Sequence, residues 1–301
     1  MTMELVDSAN QRWLDTRSPW RAHKVRLRAL CRPGESAADT LRAIGSGDSG
    51  RPYILEDSEF RELHFTRYAS QSSMRIADPT ELVSAYTRKM MAFLLFVPRP
   101  RRILMIGLGG GSLAKYCYRY LPAASIVVVE PDAEVIALRG EFCIPPDDDR
   151  FTVVKADGAE FMSRTAEEFD VILIDAFDAH GIARTLESEA FYASLARRLA
   201  PHGSMVMNFW GDVQRLAAHT RFAQALLDTP LVLVPVEYDS NVLLFALGEP
   251  KLQSAPDTLE SAAKRLERAL KMNFTRYLRR ISEGTMVGGL PGTKMGIGSK
   301  Q

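Results

Sequence analysis

The stretch Ile103-Leu104-Met105-Ile106-Gly107-Leu108-Gly109-Gly110-Gly111-Ser112 decides the fold. Its first four residues form a short apolar run of the kind that makes a buried strand, and the glycines that follow read as a turn. Glycine carries no Cβ, so Gly107, Gly109 and Gly111 let the main chain approach a ligand closely. The helix expected from about Ser112 adds unpaired N–H groups at its start. A bare connecting turn reads the same way in isolation, so the surroundings have to decide between them.

Outward from this turn the chain becomes regular. Short apolar runs at 126–130, 151–154, 171–175 and 205–208 alternate with helix-length segments. That alternation predicts a doubly wound, mostly parallel α/β sheet covered on both faces. Runs at 231–236 and 242–247, joined by Glu237-Tyr238-Asp239-Ser240-Asn241, predict a closing antiparallel pair. Before the turn, Val25, Leu27, Ala29 and Cys31 alternate as in a half-buried strand, and 53–56 and 61–65 read as further strands. Residues 45–50, rich in glycine and serine, read as a turn. Asp78, Pro79 and Glu81 match a capping box for a helix running to about Val97, where Pro98 and Pro100 stop it. A last helix is expected over about 257–281. The expected organisation is a β-rich cap over 1–77, a Rossmann-like cofactor-binding domain over 78–250, and a C-terminal helix with a flexible glycine-rich tail over 251–301.

Composition excludes several classes. The 301 residues carry 38 Lys plus Arg against 37 Asp plus Glu, a balance that argues against a protein that coats nucleic acid. The longest apolar run, 90–97, falls well short of the roughly 20 residues that span a bilayer. The first thirty residues lack the apolar stretch of a secretory signal, so a cytoplasmic location is expected. Cys31, Cys117 and Cys143 have no metal-ligand spacing, and no metal is expected.

The candidate site collects at the ends of the strands. Glu130 ends the second parallel strand, where a carboxylate can accept both ribose hydroxyls of a nucleoside. Asp157-Gly158 follows the third strand and places an acid near an adenine edge. A dinucleotide site favours Gly where Ser112 stands and needs no acid after the third strand, so the set suits an adenosyl sulfonium better. Asp175 and Asp178 follow the fourth strand, where open α/β sheets do their chemistry. Mutual repulsion between them would raise one pKa toward that of a general base. His180 is a further acid/base candidate or a loop residue, and Ser188 is the better cap for the helix that follows.

With these residues in place, the sequence resembles the spermidine synthase family of polyamine aminopropyltransferases. The matching stretches are 103–113, 127–132, 156–160 and 169–181, then Thr185-Leu186-Glu187-Ser188-Glu189-Ala190-Phe191-Tyr192, with a weaker match over 55–71. The resemblance implies a class I methyltransferase-like Rossmann fold with a small N-terminal β-rich domain. It also implies a transferase that moves an aminopropyl group from decarboxylated S-adenosylmethionine to a small amine such as putrescine. By position, Glu130 would bind the ribose, Asp157 and Gly158 the adenine, and Asp175 would accept the proton. Asp178, Gln71 and Tyr86 would line the amine pocket. A homodimer is the family's expectation.

The departures are local. Gly110 replaces the family's Asp in the glycine turn, and Tyr86-Thr87-Arg88 replaces Tyr-His-Glu, which predicts a cation near the amine pocket. Gly50, Ala179 and Ile182 replace a Gln and two prolines. Two alternatives stay open: a methyltransferase whose turn accepts the carboxylate of intact S-adenosylmethionine, and a nucleoside-binding homologue without catalysis.

Overall fold

In the computed structural model, residues 4–8, 11–21, 25–47, 50–178, 181–211, 213–237, 240–248 and 258–287 are described. The chain opens with six antiparallel strands in sequence order, β1 (Glu4–Ser8), β2 (Gln11–Arg17), β3 (Arg26–Leu30), β4 (Tyr53–Glu56), β5 (Phe60–His64) and β6 (Ser70–Arg75). Alternation along β3 buries Leu27 and Ala29, as the period of two requires. One helix, α1 (Ala37–Ser46), interrupts the sheet and covers part of it. Sequence reading missed this helix and placed a turn over 45–50. The helix carries a capping box, in which Ser36 accepts from the amide of Asp39 and the Asp39 side chain accepts from the amide of Ser36. Gly47, left-handed at φ 80°, is the C-cap of this helix.

The second layer is the expected one. An eight-stranded sheet is built from β7 (Arg102–Ile106), β8 (Ser125–Glu130), β9 (Phe151–Lys155), β10 (Phe169–Ile174), β13 (Leu199–Trp210), β14 (Leu231–Pro235), β15 (Asn241–Ala246) and β16 (Thr285–Met286), after a two-strand hairpin β11 (Phe177–Asp178) and β12 (Gly181–Ile182). Its order is β16-β14-β15-β13-β10-β7-β8-β9, and the pairs among β13, β10, β7, β8 and β9 are parallel. The helices α3 (Ser112–Tyr120), α4 (Ala133–Ala137), α5 (Gly158–Arg164), α6 (Glu189–Arg198) and α7 (Val213–Leu226) lie between the strands in sequence. Two apolar clusters, one on each face of the sheet, form the core, and Trp13, Ile54, Leu63 and Met74 of the first sheet join one of them. The chain runs from β7 through β8 to β9 on one side and returns through β10 on the other. The switch point of the sheet therefore lies between β7 and β10, the place where such sheets hold ligands.

Two helical expectations need correction. Helix α2 (Ala85–Met90) continues as a short 3-10 segment, Met91–Leu95, and does not start at Asp78. Asp78 instead closes a turn, accepting from the amide and hydroxyl of Thr80 at 3.2 and 2.7 Å. Glu81 is held by Arg75 and so is not available to complete a capping box. The last helix is two, α8 (Leu259–Leu270) and α9 (Phe274–Ser282). The break falls at Lys271, left-handed at φ 53°, and Asn273 caps the second helix by accepting from the amide of Arg276. The apolar spacing continues across the break because both helices pack on the same core. The tail expected to be flexible after Glu283 starts instead with β16, where Thr285 and Met286 pair with Leu233 and Val232 of β14, and its remainder beyond residue 287 lies outside the described residues. Among the described residues no helix is long and apolar enough to cross a membrane.

Gly107 sits at the switch point with φ 100°, and a Cβ there would lie 2.2 Å from the carbonyl oxygen of Asp175. Gly107→Ala is expected to cost about 3 kcal/mol, combining backbone strain and backbone overlap. Gly140 has open space around its Cβ position. Gly140→Ala should stay within about 0.5 kcal/mol. Urea unfolding of the two variants checks the contrast.

Candidate active site

The register between β7 and β10 builds the site. Ile106 pairs with Ile174, and the amide of Asp175 donates to the carbonyl of Ile106 at 2.9 Å. Gly107 and Asp175 thus stand side by side just past the strand ends, and a cavity of about 630 Å³ opens above them. Gly107, Gly109, Glu130, Asp157, Gly158 and Asp175 all line it, together with Gln71 from β6 and Tyr86 from α2. Eight of the residues singled out from sequence therefore meet on one cavity. Gly111 stands behind the turn as the left-handed N-cap of α3, where a Cβ would overlap Ile144. Asp178 lies in the hairpin backbone, and its side chain, like residues 179–180 with His180, lies outside the described residues.

Glu130 is buried at 8% exposure and accepts the amide of Leu108 at 3.0 Å on Oε2 and that of Asp132 at 3.0 Å on Oε1. Burial raises its pKa, and these amides act against that rise. The amide of Gly109 acts on it as well, and of the roughly four accepting positions of a carboxylate these three donors leave room for a ligand hydroxyl. Asp157 is more fully committed. It caps α5 by accepting the amides of Ala159 and Glu160 at 2.8 and 3.1 Å, and its other oxygen accepts from the Thr185 hydroxyl at 2.7 Å. The acid at this rim ties the loop after the hairpin to the start of α5. Gly158 is needed for packing, because a Cβ there would meet Ile106 at 2.5 Å.

Asp175 is held at both oxygens. Oδ1 accepts from Asn208 Nδ2 at 2.8 Å, and Oδ2 accepts from the Tyr86 hydroxyl at 3.2 Å. Burial raises its pKa, while the bonds from Asn208 and Tyr86 lower it. Burial is thus the main source of the rise that sequence reading assigned to a neighbouring acid. Asn208 itself went unnoticed, although a polar residue closing the apolar run Met205-Val206-Met207 was a visible signal.

The departures also find their places. Arg88 turns back to donate to the carbonyls of Leu82 and Val83, so the cation expected near the amine pocket is absent from the cavity wall. A Cβ on Gly110 would lie 2.7 Å from Ser72 Oγ and 3.0 Å from Phe142. The space an acid would need at 110 is filled from β6 and from the loop before β9. Ser72 meets the Ser112 hydroxyl at 3.3 Å beside the turn. Ser188 caps α6 as expected. His64, stacked on Tyr53, and the wholly buried Cys117 are core residues. Among the described residues no cluster of His, Cys, Asp or Glu could hold a metal ion.

A glycine turn, a buried carboxylate at the end of the second parallel strand and an acid at the switch point thus share one cavity on a methyltransferase-like Rossmann sheet. Residues 83–249 match the family model of the spermine/spermidine synthase domain. The polyamine aminopropyltransferase of Chromobacterium violaceum is 34% identical over 231 residues, which is 76% of this chain and 88% of that one. The same-named protein of Neisseria meningitidis serogroup A is also 34% identical, over 249 residues, 80% of this chain and 94% of its own. The chain belongs to the spermine/spermidine synthase family of transferases. Solved structures agree on the fold. A probable spermidine synthase from Corynebacterium glutamicum has a TM-score of 0.59 at 19% identity, covering 83% of this chain and 95% of that one. Human methyltransferase-like protein 13, in complex with SAH, has 0.53 at 22%, covering 62% and 93%.

The site generates a stability prediction. A raised carboxyl pKa means that the folded protein holds the proton more tightly than the unfolded chain. The contribution of Asp175 to stability is therefore greatest below the ordinary Asp range and falls as pH rises through its folded pKa. Asp175→Asn should accordingly melt higher than the parent at pH 8, and the gap should close as pH falls toward 4, as calorimetric scans across pH would record.

Proposed function

We propose that the chain transfers an aminopropyl group from decarboxylated S-adenosylmethionine to a small amine such as putrescine. The reading rests on Asp175, a carboxylate with its pKa raised by burial, opening on the same cavity as the buried carboxylate Glu130. On this reading Glu130 accepts the ribose hydroxyls of the donor, and Gly107 and Gly109 let the main chain follow it. Gly158 and the Asp157-capped start of α5 border the adenine. Gln71, Tyr86 and Asp178 flank the amine.

The acceptor must arrive at the reacting carbon as a free amine. Its nitrogen attacks the terminal propyl carbon, the carbon–sulfur bond breaks, and the electron pair of that bond returns to sulfur. Methylthioadenosine leaves as a neutral thioether. The nitrogen, now a secondary ammonium, gives its proton to Asp175. A pKa raised above the usual carboxylate range suits this acceptance, and the residual negative charge favours the developing ammonium. The cytoplasm, where small amines and sulfonium donors are available, fits the reading.

A second reading is methyl transfer from intact S-adenosylmethionine. Gly110 favours it, because the hydroxyls of Ser72 on β6 and Ser112 at the start of α3 meet beside the turn where the family has an acid.

Titration calorimetry with both donors, followed by mass spectrometry of the products formed with putrescine, cadaverine and spermidine, separates the two. Tighter binding of the decarboxylated donor and a product heavier by one aminopropyl unit are expected. Preference for the intact donor would overturn the proposal. Asp175→Asn should lower turnover about 1,000-fold while donor affinity stays within about threefold; unchanged turnover would remove Asp175 from the role of base.

A further inference from the structure

The two holds on Asp175 differ in kind. Behind Oδ1, Asn208 accepts on its own Oδ1 from Asn241 Nδ2 at 2.8 Å, extending the bond it gives to Asp175 into a chain of amides. Asn208 and Asn241 are 1% and 7% exposed and stand on adjacent antiparallel strands, β13 and β15, diagonal to each other in the register. Neither lines the cavity. Tyr86, which meets Oδ2, does line it, and its 3.2 Å bond is long for a hydroxyl donor.

A primary amide has a donating end and an accepting end, and burial makes an unpaired end costly. Reversing Asn208 would set its oxygen against Asp175 Oδ1 and its NH2 against the NH2 of Asn241. Acceptor would face acceptor and donor would face donor. While Asn241 donates, Asn208 can only present its N–H to Asp175.

We propose that Asn208 and Asn241 are positioning residues, a buried amide relay that anchors Asp175 through Oδ1 and leaves Oδ2 as the oxygen that takes the proton from the amine. The inference rests on Asp175 being the proton acceptor. Rotating the carboxylate would break the bond that Asn208 gives to Oδ1, so Oδ2 keeps its direction toward the cavity through the reaction. The relay also favours the ionised carboxylate against burial, which favours the neutral acid. Tyr86 from α2 and Asn208 from β13 face Asp175 directly. Glu130, Asp157 and Arg184 border the same cavity, and the neighbouring cation on α2, Lys89, is turned to the carbonyl of Pro235. The side chain of Asp178 lies outside the described residues.

The test uses Asn208→Leu and Asn241→Leu in the full chain. Difference infrared spectroscopy follows the Asp175 carboxyl band, assigned by its loss in Asp175→Asn, across pH. Both variants should titrate at higher pH than the parent. Turnover should fall about 100-fold in Asn208→Leu and about tenfold in Asn241→Leu, the scale of one hydrogen bond to a charged group. In Asn241→Leu the acceptor KM and donor affinity should stay within about threefold, and raising the pH should restore part of the lost turnover, which a loss of stability would not do. An Asp175 titration within about 0.2 units of the parent in an Asn241→Leu protein that binds donor normally would overturn the relay. If Asn208→Leu does not fold, Asn241→Leu decides alone, because it does not touch Asp175. Retained turnover in Asp175→Asn would instead remove the base assignment, while the infrared titration still reports whether the relay sets the proton affinity of Asp175.

Discussion

The rest of the structure depends on the close approach of two strand ends. Gly107 leaves β7 at a positive φ and passes so near the carbonyl of Asp175 that no side chain fits between them. The amide of Gly107 donates to Val129 at the end of β8, and the amide of Asp175 donates to Ile106. Three parallel strands are thereby stitched together at their carboxyl ends. The residues that follow them, the glycine turn, Glu130 and Asp175, must share one cavity. A larger residue at 107 would push the ends of β7 and β10 apart.

Around that junction the chain places charge where burial opposes it. Glu130 and Asp175 both have raised pKa values from desolvation, and each is only partly compensated by hydrogen bonds. Such groups weaken the fold at neutral pH, and buried carboxylates with raised pKa values gather at functional sites. The N-terminal sheet closes the same cavity from outside the Rossmann core, through Gln71 and Ser72 of β6. It is also fastened to the segment between β8 and β9 by polar contacts, including Arg28 and Arg61 with Glu141 and Arg32 with Glu134 of α4. The contribution of β6 to the cavity wall is thus backed by bonds made to Glu134 and Glu141, well beyond the glycine turn in sequence.

Much of this was readable along the chain. The alternation of apolar runs and helices indicated a parallel sheet, because strands buried on both faces need continuous apolar residues. The acids after three strands pointed to the cavity, because the ends of parallel strands all meet at one edge. Local turn chemistry was less legible. Asp78 and Glu81 have the spacing of a capping box, yet Asp78 binds Thr80 and Glu81 binds Arg75, a residue of the preceding strand. The apolar stripe over 259–281 looked like one helix because its period survives a break at Lys271, where packing on a common core keeps both halves in phase.

The sequence by itself determined the sheet, the glycine turn and the identity of the acids at its rim, since period, chain direction and the absence of a Cβ are properties of neighbouring residues. Only the tertiary structure decided what each acid does. Asp157 spends its oxygens on α5 and Thr185, Arg88 turns away from the cavity, and Ser72 and Phe142 fill the space beside Gly110. Asn208 and Asn241 stand 33 residues apart and meet behind Asp175 only because β15 returns antiparallel beside β13. Partners brought together by strand pairing leave no spacing in the sequence, and it is they that hold the Asp175 carboxylate.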